Sequence, residues 1–70
     1  MRSEQELRDR IEIELNHVRY IYEEFKAGES TLRFLRKIAD NAYHTISGYK
    51  FALDEEWNLG EFNRLVGFTF

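Results

Sequence analysis

Apolar residues recur along the first third of the chain at helical spacing. Leu7, Ile11, Leu15, Val18, Tyr22 and Phe25 follow one another at steps of four, four, three, four and three. That period keeps them on one face of an α-helix. Ser3 followed by Glu6 matches a capping box, in which side chains satisfy free backbone N–H groups at a helix start. Glu4 to Arg8 and Glu6 to Arg10 are i,i+4 pairs in the favourable orientation. Gly28 stops the helix after Lys26. Ile13, Tyr20 and Ile21 lie off the main stripe, so the apolar surface is wider than one partner helix needs.

A second stripe follows a short turn at Ala27-Gly28-Glu29, with Ser30 or Thr31 as the cap. Leu32, Leu35, Ile38 or Ala39, Ala42, Ile46 and Tyr49 form its buried side, and Gly48 suggests its end. Ala39 and Ala42 are small enough to let two helices approach closely. The opposite face carries Arg33, Arg36, Lys37, Asp40, Asn41 and His44. A turn this short makes the two helices antiparallel neighbours.

The last twenty residues carry two patterns. Asp54-Glu55-Glu56 reads as the acidic first turn of a helix, with Trp57, Phe62, Leu65 and Val66 able to face the hairpin and Gly60 weakening its middle. Tyr49, Phe51 and Leu53 alternate, as do Val66, Phe68 and Phe70, which suits strands. The expectation is an all-α fold: one domain over 1–70, an antiparallel hairpin of about 4–26 and 31–49, and a short C-terminal helix or extended tail. The alternative is α+β with a small C-terminal β-hairpin. The helix is preferred because Glu55 to Leu59 lacks β-branched residues.

Length changes the picture. A chain of 70 residues buries only about 60% of its unfolded surface, so a lone core is marginal. With no Cys a disulfide is excluded, and two His without a thiolate make a structural zinc site a poor fit. Oligomerisation or partner binding is the staple that remains. No segment approaches the run of about 20 apolar residues that spans a membrane, and Met1-Arg2-Ser3-Glu4-Gln5-Glu6 has no signal-peptide character. The expected location is the cytoplasm.

Charge is unevenly spread. Residues 1–29 hold eight acids and five bases, residues 30–50 four bases and one acid, and residues 51–70 four acids and one base. A basic middle thus lies between two acidic ends, as complementary packed helices would have it.

Catalytic chemistry finds little footing. Glu14-x-x-His17 is half of the pattern used by di-iron bundles, which need two such motifs and two further carboxylates. Asp40 and His44 come to the same level in a hairpin but lie opposite the buried stripe. Ser3, Ser30 and Ser47 read as caps or helix-end residues, and no Ser/His/Asp set can be assembled. No cofactor, metal or small-molecule substrate is expected. Ile38-Ala39-Asp40-Asn41-Ala42 with Thr45-Ile46-Ser47 is similar to part of the helix-turn-helix of lactose-repressor-type regulators. Only Tyr43-His44 intervenes, three residues short of that motif, so the segment reads as one continuous helix outside the family.

The expected function is a small non-enzymatic protein–protein interaction module, a homodimeric regulator, inhibitor or adaptor, of a kind that occurs in phages and mobile elements. Its partner is itself or another protein, and its interface residues are Ile13, Tyr20, Ile21, Trp57, Phe62, Phe68 and Phe70, since aromatics are enriched at such surfaces. The alternative is a nucleic-acid-associated regulator touching phosphates through Arg33, Arg36, Lys37 and His44. A weaker third idea is an acidic decoy that binds a basic protein through the first helix and residues 54–61.

Overall fold

The structure, a computed structural model, describes residues 3–69. Three helices follow in order: α1 (Glu4–Lys26), α2 (Leu32–Ala52) and α3 (Leu59–Val66). Each starts on a side-chain cap that satisfies an N–H with no partner inside the helix. Ser3 Oγ accepts from the Glu6 N–H at 3.1 Å, Thr31 Oγ1 from the Phe34 N–H at 3.1 Å, and Asn58 Oδ1 from the Glu61 N–H at 2.8 Å.

The two long helices end alike. After α1, the Gly28 N–H bonds to the Phe25 carbonyl and the Glu29 N–H to the Glu24 carbonyl, with Gly28 at φ +80°. After α2, the Asp54 N–H bonds to the Phe51 carbonyl and the Glu55 N–H to the Lys50 carbonyl, with Asp54 at φ +57°. Both are Schellman closures, which need one left-handed residue. Glycine supplies it at the first and an aspartate at the second. This corrects two expectations. Gly48 lies inside α2, which runs on to Ala52 instead of stopping at 49. Asp54-Glu55-Glu56 is the exit from α2 and not the first turn of α3, which begins at Leu59 behind its Asn58 cap. The alternation of Tyr49, Phe51 and Leu53 belongs to the end of α2, and no strand occurs among the described residues.

The core sits where the α1 and α2 stripes meet. Ile11, Leu15 and Val18 pack with Ala39, Ala42 and Ile46, and the two alanines allow the close approach. Ile21 and Leu35 are buried towards the turn. Helix α3 is too short to stand alone and is held by three devices. Phe62 is fully buried, its ring edge-on to Tyr43 (centroids 5.6 Å) and Trp57 (6.0 Å). Arg19 of α1 donates from Nε and Nη2 to the Leu65 carbonyl at 3.0 and 2.8 Å, placing a cation on carbonyls at the C-terminal end of α3. Beyond Gly67, which ends α3 at φ +86°, Phe68 stacks on Tyr22 at 4.5 Å. The molecule is a two-helix layer with α3 and the Trp57 connector against one side.

Candidate functional site

At about 100° per residue, Ile13 and Tyr20 fall on the side of α1 opposite Ile11, Leu15 and Val18. They stand 61% and 62% exposed. Glu6, Asp9, His17 and Glu24 share that stripe, all outside any ion pair among the described residues, and the one base beside it there is Arg10. A hydrogen bond to Glu24 raises the Tyr20 hydroxyl above the usual tyrosine range. The outward edge of α1 is acidic, with two large apolar side chains set into it.

The outward edge of α2 is its counterpart. Arg33, Lys37, His44, Gly48 and Phe51 cluster opposite Leu35, Ala39, Ala42 and Ile46. Phe51 is 87% exposed, the most solvated large apolar side chain in the described structure. Arg33, Arg36 and Lys37 are exposed and enter no ion pair among the described residues. His44 faces Asp40 at 3.3 Å on the same helix. Because each core stripe faces the other helix, the two outward edges lie on opposite sides of the layer.

The expected interface residues therefore divide. Ile13 and Tyr20 are at the surface. Ile21 and Phe62 are in the chain's own core, because α1 turns Ile21 towards α2 and the α3 docking seals Phe62 beneath Tyr43 and Trp57. Trp57 is half-buried, stacked on Tyr43 at 5.9 Å with the Lys50 ammonium 5.6 Å from its ring, and its indole N–H has no acceptor among the described residues. Phe68 is half-buried against Tyr22. Phe70 lies outside the described residues. Among the four expected nucleic-acid contacts, Arg33, Lys37 and His44 share the outward edge of α2, while Arg36 is rotated towards the α3 side.

Sequence reasoning missed Phe51. Its signal was present, since position 51 continues the Arg33, Lys37, His44 spacing once the helix runs past Gly48. It also missed an ion cluster tying the Trp57 connector to both long helices. Glu55 accepts from Arg8 Nη2 at 2.7 Å and Nη1 at 3.3 Å and from Lys50 Nζ at 3.0 Å. Hydrogen bonds from Arg8 and then Lys50 hold the Glu55 carboxyl down at about 2, against a smaller opposing effect of burial. Beside it lies a cleft of about 200 Å³ floored by Ile11, Leu15 and Leu65 and rimmed by Arg8, Glu12 and Lys50. Known ligand pockets usually enclose about 300–1,000 Å³, and both cations on this rim already face Glu55.

Among the described residues no three His, Asp or Glu side chains gather into a metal-binding group, and no helix is long and apolar enough to cross a membrane. Comparison with protein families, with curated proteins and with solved structures finds no match to this chain.

Proposed function

We propose that this protein is a non-enzymatic interaction module that associates with itself in the cytoplasm and serves as a small regulator, inhibitor or adaptor. The observation that carries the reading is the exposure of Phe51, Ile13 and Tyr20 on regular, well-capped helices. Three large apolar side chains in water are a poor use of a chain whose core is so small, and a partner that covers them supplies the missing burial. The long axis of 40 Å against 20 and 16 Å gives a second molecule two helix-length edges to dock on. Sedimentation velocity over a range from micromolar to near-millimolar tests the reading. Assembly that grows with concentration supports it, and a monomer at every concentration refutes it.

Nucleic-acid association is the second reading. It is favoured by Arg33, Arg36 and Lys37, whose charges nothing in the described chain neutralises. Binding of this type weakens steeply with salt, in proportion to the phosphates contacted. A salt titration with a short duplex and a single strand tests it: binding that falls steeply as salt rises supports it, and no binding at low salt refutes it.

A further inference from the structure

We infer that the acidic edge of α1 in one copy of this chain docks on the basic edge of α2 in the next, so that copies join head to tail. The inference rests on the self-association reading and adds its geometry. Four observations carry it.

The first is charge. Glu6, Asp9 and Glu24 lie with Ile13 and Tyr20 on an edge bordered by the single base Arg10, while Arg33 and Lys37 lie on the other edge towards the interhelical turn, with Asp40 beside them and Phe51 at the far end; none of Glu6, Asp9, Glu24, Arg33 and Lys37 enters an ion pair inside the described chain. Like edges repel and unlike edges attract. The second is spacing. Along α1, Glu24, Tyr20, Ile13 and Glu6 are separated by 4, 7 and 7 residues read backwards, and along α2, Arg33, Lys37, His44 and Phe51 are separated by 4, 7 and 7 read forwards. Two antiparallel helices laid edge to edge bring Glu24 to Arg33, Tyr20 to Lys37, Ile13 to His44 and Glu6 to Phe51. That is an ion pair, an aromatic ring against a lysine stem and head, an isoleucine on an imidazole beside Gly48, and the methylene stem of a glutamate over the Phe51 ring.

The third is Gly48 itself. It sits in the interior of α2 without a left-handed backbone, and a Cβ built on it meets nothing within 4 Å. Glycine in a helix interior is destabilising, and no contact within the chain requires it here. On the outward edge it lets another helix come close. The fourth is position. The two edges lie on opposite sides of the layer, so their contact is heterologous. Such a contact leaves one edge free at each end of a pair and continues into a ring or a chain of copies instead of closing as a two-fold dimer.

The test uses two full-length variants. Ile13→Ala with Tyr20→Ala removes the α1 edge and leaves α2 intact. Lys37→Ala with Phe51→Ala removes the α2 edge and leaves α1 intact. All four positions are exposed, so both variants keep the parent's helix content, which circular dichroism checks. The parent assembles beyond a dimer, and each variant alone associates at least about tenfold more weakly, from the apolar area it no longer buries. Their equimolar mixture forms a one-to-one dimer and stops there, because only one intact contact remains. Gly48→Gln, which fills the open space on α2, weakens assembly without lowering the stability of the dilute monomer. If the parent assembles but the mixture stays monomeric, or if either variant or G48Q assembles like the parent, the edge pairing is overturned while self-association stands. A parent that never assembles overturns both.

Discussion

Replacing Phe62 with alanine should unfold this protein, while the same replacement at Phe51 should leave it standing. Phe62 is wholly out of water, and its ring meets Tyr43 and Trp57 edge-on, so α3, the connector and α2 all lose a packing partner at once. Truncating a buried phenylalanine costs about 3–5 kcal/mol through lost transfer energy and the cavity left behind. A core of this size supplies about 3–5 kcal/mol in total. F62A should therefore have folded and unfolded forms near parity at room temperature, or favour the unfolded chain. F51A removes a ring that is almost fully solvated and puts the best helix former in its place, so its effect in dilute solution should stay within about 0.5 kcal/mol. Circular dichroism melts at low concentration measure both. Trp57 is the chain's sole tryptophan and sits against Phe62. Its emission should shift to the red in F62A and stay put in F51A. If the two variants melt together, the packing of α3 described above is wrong.

Asp54 holds the left-handed position that Gly28 holds after α1, so Asp54→Gly should raise stability by up to about 1 kcal/mol, read as a higher melting temperature. The Glu55 carboxyl is lowered in the folded chain, so its contribution is present above the ordinary value of 4.5 and is lost as pH falls through about 2. The melting-temperature gap between the parent and Glu55→Gln, open at pH 7, should close across that window and shrink with salt; a constant gap would show that Arg8 and Lys50 do not hold the carboxylate in solution. Phe68→Ala should lower the melting temperature equally in dilute and concentrated samples, because the Phe68–Tyr22 stack is internal; a loss seen only in concentrated samples would return Phe68 to an interface.

Helix α1 was legible in the sequence to the residue because every local cue agreed: the Ser3 cap, the unbroken stripe and Gly28 at the exit. The end of α2 was not, and the reason is specific. Glycine is a reliable stop only where the backbone needs a positive φ, and Gly48 has none. The residue that does turn the chain there is Asp54, whose side chain gives no such warning. Misplacing that end by three residues detached Phe51 from its helix and turned it into half of an apparent strand. The error propagated to Asp54-Glu55-Glu56. Their acidity suggested a helix dipole, whereas Glu55 serves to receive Arg8 and Lys50 across the fold.

The surface was legible in part, and the division follows from what periodicity can see. A wheel distinguishes towards-core from away-from-core, so Ile13, Tyr20, Arg33, Lys37 and His44 came out on outward faces correctly. It does not say how much of an off-stripe side chain a third element covers. Ile21 and Phe62 were assigned to an interface because one helical hairpin seemed to have too little face for so many aromatics. The Trp57 connector and α3 supply that face, and the rings of Tyr22, Tyr43, Trp57, Phe62 and Phe68 pack against one another within the chain. What that leaves over is more informative than the aromatic count was. Once the C-terminal rings are accounted for, the most exposed large apolar side chains are Ile13 and Tyr20 on one edge and Phe51 on the other, with Leu32, Phe34 and Leu59 about half as exposed as Phe51. A broad sticky surface would fit many partners. Two narrow, oppositely charged edges of equal spacing restrict the choice, and the chain itself already carries both halves.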